Sequence, residues 1–204
     1  MPPERSPSRR RVQQVVRADP SHGGERGSVV VDCDMRKFGL VPVIDDETEV
    51  LILGTLPSDV SLAKSQYYAN PSNDLWKLIG QVFNQSLVTL SYERRIETLK
   101  THAIGLWDIY HYCVRPGSMD KDITEPELND FKTLKTTCPR LRLVCFNGQK
   151  AGESEEFLRS LGYVTLVLPS SSGANRRNQD ERLRCWNAIR ERRVPRPGRS
   201  SSPI

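Results

Sequence analysis

The residues of this sequence best equipped for chemistry fall in a few short segments: Gly54-Thr55-Leu56-Pro57-Ser58, Tyr67 to Trp76 (YYANPSNDLW), Trp107-Asp108, Asn147-Gly148, and Pro169 to Arg176 (PSSSGANR). A carboxamide carries both donors and an acceptor but is no strong base, so Asn73 and Asn147 suit the orientation of a water or of a polar ligand edge. Tyr68 offers a π-face. Ser170, Ser171 and Ser172, with Asn175 and Arg176, are side chains of the kind that meet phosphate oxygens. Each has an ordinary alternative. Asn73, just before Asp74-Leu75-Trp76, can be an N-cap; Asn147-Gly148 can be a turn; Tyr68 can be core; and the late loop can simply lead into the next helix. His102, His111 and Asp108 raise a hydrolase reading with a serine nucleophile. That reading is weak, because there is no G-x-S-x-G elbow and His102 falls at a helix end. Phosphate-loop and dinucleotide fingerprints are also missing.

These segments are positioned by an alternation of apolar strands and amphipathic helices. Val50-Leu-Ile-Leu53 reads as a fully buried strand of a parallel sheet. Helices are expected over 74–83, with Leu75, Leu78, Ile79 and Val82 on one face, and over 92–102, capped by Ser91. A second strand is expected over 104–109, then a long loop and a helix over 125–135 begun by Pro126. A third strand covers 141–146, a helix 149–161 closed by Gly162 follows, then a strand over 163–168 and a last helix over 179–193 with Leu183, Trp186 and Ile189 inward. The pattern implies an α/β fold: a three-layer α/β/α sandwich around a central, mainly parallel four-stranded sheet. In such sheets ligands bind outside the carboxyl ends of the strands, where the segments above lie.

The ordered set of segments resembles the uracil-DNA glycosylase superfamily, and within it the hypoxanthine and mismatch-specific uracil glycosylases, over about residues 38–189. Those families have a first strand ending in a Gly-x-x-Pro turn, an aromatic-Ala-His-Pro-x-Asn-x-Phe-Trp segment, and a late Pro-Ser loop; residues 54–57, 68–76 and 169–176 fit the pattern. The resemblance implies excision of a deaminated base from DNA, hypoxanthine first and uracil or xanthine next, by water and without a cofactor. It implies catalytic roles for Asn73 and Asn147, a base-binding role for Gly54, Thr55, Leu56, Pro57 and Tyr68, and DNA contact through Ser170, Ser171, Ser172, Gly173, Ala174, Asn175 and Arg176. Leu56 stands where many members hold the attacking water with Asp or Asn, Asn70 replaces the usual His, and Ser170 replaces the late-loop His of the most active uracil enzymes. These departures point away from efficient uracil-specific action. They also keep open a binding module of the same fold that recognises damaged DNA without cleaving it.

Composition supports one domain with tails. A hydrophobic share of 37% and a mean hydropathy of −0.53 are low for a compact globule, as expected where polar ends dilute a normal core. Residues 1–28 hold six Arg/Lys against three Asp/Glu, and residues 176–204 nine against three, whereas the middle is net acidic. Basic flanks suit a polyanion or merely a solvated tail. The expected division is a basic tail over 1–35, a glycosylase-like domain over 36–193 and a flexible end over 194–204. The cysteines (Cys33, Cys113, Cys138, Cys145, Cys185) are scattered and odd in number, which fits reduced thiols and gives no metal-site spacing. No metal is expected. The sequence lacks a bilayer-length apolar run and a secretory h-region, so the expectation is an intracellular monomer with no membrane contact, cytoplasmic in a prokaryote or nuclear or organellar in a eukaryote.

Overall fold

The structure, a computed structural model, describes residues 35–175 and 178–192. Its main sheet is built from β2 (Val50–Gly54), β3 (Ile104–Asp108), β6 (Leu143–Asn147) and β7 (Thr165–Leu168), all parallel, in the order β3-β2-β6-β7. β2 shows why the sheet must be covered on both sides. Val50 and Ile52 pack into one core with Leu75, Ile79, Leu99, Trp186 and Ile189. Leu51 and Leu53 pack into another with Phe131, Leu134, Ala151 and Leu158. Successive strand residues point to opposite faces, so an unbroken apolar strand requires two layers. The expected α/β/α architecture and four parallel strands are present.

On the first face lie α2 (Leu75–Phe83), α3 (Tyr92–Thr101) and α7 (Gln179–Glu191), with α1 (Asp59–Lys64) leading from β2 toward them. Ser91 caps α3 by accepting from the Arg94 N–H. On the second face, the expected helix over 149–161 is two helices, α5 (Gln149–Gly152) and α6 (Glu155–Ser160). A Cβ on Gly152 would lie 3.0 Å from both methyls of Val167. Close packing on β7 thus selects a residue that propagates helix poorly, and the helix restarts. Gly162 does close α6: at φ +86° its N–H reaches the Arg159 carbonyl while Tyr163 N–H reaches Leu158, the paired bonds of a Schellman motif.

The region after β3 corrects the sequence reading. The expected loop contains β4 (Tyr110–Val114), and the expected helix over 125–135 contains β5 (Thr124–Leu128); with β1 (Arg36–Phe38) they form an antiparallel sheet of order β1-β4-β5. Leu128, Phe131 and Leu134 imitate a helical stripe, but only Phe131 and Leu134 are buried, in a 3-10 turn running into α4 (Leu134–Thr137). Pro126 is tolerated because β5 is an edge strand, where a missing N–H need not break a ladder. The expected tails over 1–35 and 194–204 lie outside the described residues except for Met35.

Candidate functional site

In the order β3-β2-β6-β7 the chain moves from β2 to β3 on one side and from β6 to β7 on the other. The reversal lies between β2 and β6, and a crevice is expected at their carboxyl ends. A cavity of about 530 Å3 opens there. Its walls include Gly54, Thr55, Leu56 and Pro57 from the end of β2, Tyr68 and Asn73 from the segment after α1, Asn147 from β6, and Ser170, Ser172, Gly173 and Ala174 after β7. Ser171 is fully buried behind this wall, Asn175 is half-buried, and Arg176 lies outside the described residues.

Tyr68, Asn73, Asn147 and Ser171 form one hydrogen-bonded unit. Asn147 donates through Nδ2 to the Tyr68 hydroxyl at 3.1 Å and to Ser171 Oγ at 2.8 Å, and its Oδ1 accepts from Ser171 N–H at 2.7 Å. Ser171 Oγ donates onward to Asn73 Oδ1 at 2.8 Å, which also accepts from Leu75 N–H at 3.0 Å. Asn73 thus bonds the first turn of α2 from the position just before its cap residue, Asp74, and the same side chain borders the cavity. Asn73 keeps its Nδ2 for a ligand, and Asn147 keeps the second lone pair of Oδ1. The expectation that Ser171 contacts phosphate does not match its placement, since its hydroxyl is held between the two asparagines.

Backbone contacts aim these groups. Tyr68 sits at φ +53°, a left-handed conformation costly for an aromatic residue and held only by strong surroundings. Here Tyr67 N–H donates to the Tyr92 hydroxyl, Trp76 Nε1 donates to the Tyr68 carbonyl, and Ala69 N–H donates to Ser61 Oγ. A Cβ on Gly54 would lie 3.1 Å from the Tyr68 hydroxyl, so glycine leaves room for the ring. A Cβ on Gly173 would collide with the Ser72 carbonyl, which lets the late loop close against the Tyr67–Asp74 segment. Asp74 N–H donates to the Ser171 carbonyl at 2.8 Å. The Asp74 carboxylate is in turn paired at 2.9 Å with buried Arg182 of α7.

Charged groups complete the walls and back them: Asp108, singled out in sequence only as a strand-end residue and in the hydrolase reading, and Arg115 and Asp120, which the sequence did not single out. Asp108, buried at the end of β3, borders the cavity. Burial pushes its carboxyl up to about 7, against the opposing pull of the Leu40 N–H, the Tyr67 hydroxyl and the Arg115 charge. Arg115, after β4, is fully buried and donates to the carbonyls of Leu56 and Pro57. It is 3.8 Å from Asp120, whose Oδ1 accepts from Thr55 at 2.7 Å. Burial also raises the Asp120 carboxyl, opposed by the Thr55 bond and the Arg115 charge. Neither His102 nor His111 borders the cavity; His102 stacks on Phe83 at 4.0 Å. The serine–histidine hydrolase reading therefore has no geometry behind it. Among the described residues, no group of three or more His, Cys, Asp or Glu is placed to hold a metal.

The family model described as the uracil DNA glycosylase superfamily matches residues 41–191. The chain belongs to the uracil DNA glycosylase superfamily. A superfamily relative from Methanosarcina acetivorans, named hypoxanthine DNA glycosylase, is 52% identical over 155 residues, covering 76% of this chain and 98% of its own. A protein of the same name from Methanosarcina barkeri is 49% identical over 152 residues, covering 74% and 96%. A solution NMR structure from M. acetivorans, described as a candidate uracil DNA glycosylase, superposes with a TM-score of 0.71 at 52% identity and covers 77% of this chain and 98% of its own. In this superfamily member the Leu56 side chain is almost wholly buried beside the cavity, where it has no polar atom to offer water.

Proposed function

We propose that this chain excises a deaminated base from DNA, hypoxanthine in preference to uracil or xanthine, and leaves an abasic site. The observation that carries the reading is the linkage of Tyr68, Asn147, Ser171 and Asn73 along one wall of the cavity at the sheet's switch point. The substrate preference rests on the two relatives of about half identity that bear the name hypoxanthine DNA glycosylase. The protein acts inside the cell as a monomer, on single- or double-stranded DNA. No helix among the described residues is long and apolar enough to cross a membrane.

The flipped nucleotide enters the cavity and its base stacks on Tyr68, a contact worth roughly 1–3 kcal/mol. Asn147 holds the Tyr68 hydroxyl and Ser171, and offers the base a carbonyl lone pair. With Leu56 apolar, water positioning falls to the Asn73 amide, whose Oδ1 is fixed by Leu75 and Ser171. An amide is no strong base, so the chemistry depends on a good leaving group, as a deaminated base is. The Ser170–Arg176 loop contacts the strand from which the base came; Ala174 is small for a wedge, which suits single strands. Residues 1–35 and 194–204 serve as tails to the domain over 36–193.

The test is alkali-revealed cleavage of labelled oligonucleotides that carry one deoxyinosine, deoxyuridine or deoxyxanthosine. Wild type is expected to make abasic sites, with deoxyinosine cleaved fastest, and Asn73→Ala and Asn147→Ala to be slower by about 10²-fold or more, the scale of losing one preorganised polar contact. No base release from any substrate by folded protein that still binds DNA would replace this reading with the binding module.

A further inference from the structure

We propose that Asp108 distinguishes a deaminated base from its amino parent, its carboxyl O–H donating from Oδ1 to the carbonyl oxygen that deamination creates. The assignment rests on the glycosylase reading above and names the group that reads the substrate. Asp108 is 3% exposed, ends β3 opposite Gly54, and borders the same cavity as Tyr68 and Asn147. Its Oδ2 accepts from Leu40 N–H at 3.3 Å, so in the neutral acid Oδ1 is the oxygen better placed to carry the proton. A Cβ on Gly54 would lie 3.6 Å from Oδ1 and 3.1 Å from the Tyr68 hydroxyl. The missing side chain thus leaves a recess lined by Asp108 and Tyr68 together.

The surroundings favour the neutral acid. Burial acts for it; against it stand the Leu40 N–H, the Tyr67 hydroxyl and the Arg115 charge from the end of β4, but the Arg115 N–H groups point to the Leu56 and Pro57 carbonyls, and Tyr68 also faces the carboxyl. Asp120 and Lys121 lie on the wall of the same cavity. With burial the largest influence, the carboxyl titrates near 7 instead of at its usual 3.8.

Adenine and cytosine carry an amino donor where hypoxanthine and uracil carry a carbonyl acceptor. A fixed O–H donor pairs with the carbonyl and is left facing a second donor by the amino base, the kind of buried mismatch that discriminates strongly. During hydrolysis the C1′–N electron pair leaves with the base and spreads onto that same oxygen. Water oxygen bonds to C1′, and the proton it releases goes to the departing base or to solvent. The Asp108 hydrogen bond therefore strengthens as the bond breaks, and Asp108 ends the cycle protonated as it began.

The deciding measurement is the single-turnover rate on a deoxyinosine oligonucleotide from pH 5.5 to 9. The neutral acid is the active form, so activity is present below the folded value near 7 and lost above it: wild type is expected to slow about tenfold per pH unit there. Asp108→Asn donates from Nδ2 at any pH while its Oδ1 keeps the Leu40 bond, so its profile should lose the alkaline fall. Asp108→Ala should be about 10²-fold slower at pH 6 and narrow the preference for deoxyinosine over deoxyadenosine. A wild-type rate that is flat or rises through pH 7, or an alkaline fall that persists in Asp108→Asn, would overturn the assignment; the wild-type profile decides even if a variant fails to fold. No base release at any pH would remove the glycosylase reading and this assignment with it, whereas release with a contrary profile removes this assignment alone.

Discussion

Ser171 is the residue through which the site holds together. Its hydroxyl and N–H make three hydrogen bonds, one to each asparagine oxygen and one from Asn147 Nδ2, with no exposure to solvent. Ser171→Ala keeps the backbone bond but leaves the Asn147 amide and Asn73 Oδ1 each short of a buried partner, a loss of about 1–3 kcal/mol. If the proposed catalytic roles hold, base release should slow about 10- to 100-fold while the substrate concentration at half saturation changes little, because the damage is to alignment. Single-turnover rates and a urea melt separate the two effects. A variant as fast as wild type would show that the two asparagines act independently. The sequence exposed part of this. A carboxamide ending a buried strand and an Asn before a helix stand out by cost and by capping preference, and both border the cavity. Three adjacent serines, by contrast, look alike in sequence; which one turns inward depends on the Asp74 N–H holding the Ser171 carbonyl across the site. Asp108 stood at a visible strand end, but the burial that raises its carboxyl is a tertiary property.

At the scale of elements, the main sheet was readable because each strand is an apolar run between turn residues, and burial on both faces leaves no other use for such runs. The second sheet was not. β5 is wholly exposed and contains Pro126, so it has neither alternation nor an apolar face to announce a strand, while Leu128, Phe131 and Leu134 mimic helical spacing. Its pairing with β4 brings in Arg115 and Asp120, which is why those site residues escaped too. Helix α7 shows a further contribution from packing. Arg182 is 3% exposed, and its pair with Asp74 ties α7 to the start of α2, next to Asn73. Among the described residues its Nε and Nη2 have no hydrogen-bond partner, so the ion pair is the main compensation for burying the guanidinium. Arg182→Ala strands a half-buried carboxylate and should cost about 2–3 kcal/mol, somewhat below the range for fully buried pairs. Arg182→Lys should recover only part of this, because a lysine amine replaces the directed fork with a point charge. Equilibrium urea unfolding of the two variants checks the order; equal stability of Arg182→Ala and wild type would show the pair to be incidental.

At the scale of the whole molecule, basic charge and the cavity are separated along the chain. The cavity and its hydrogen-bonded wall belong to residues 54–175, within the net acidic middle, whereas residues 1–28 and 176–204 carry an excess of Arg/Lys. An acidic body is a poor attractor for DNA, so in the proposed function the flanks supply much of the sequence-independent attraction and the cavity supplies the chemistry. Each phosphate neutralised by Lys or Arg contributes about 0.7–0.9 to the slope of log affinity against log salt. Replacing Arg9, Arg10, Arg11, Arg193, Arg196 and Arg199 with Ser leaves every cavity residue intact. The expected result is a salt slope lower by one or more and weaker binding at low salt, with the single-turnover rate at saturating enzyme unchanged. Measurement of affinity from 50 to 200 mM salt, about the range over which such slopes are resolved, with the rate taken on the same oligonucleotide, tests both halves. An unchanged slope would return the attraction to the domain itself, to side chains such as Lys121 on the cavity wall and Lys64 in the neighbouring groove. A rate that fell in step with affinity would mean that the flanks help present the flipped nucleotide and do more than raise its local concentration.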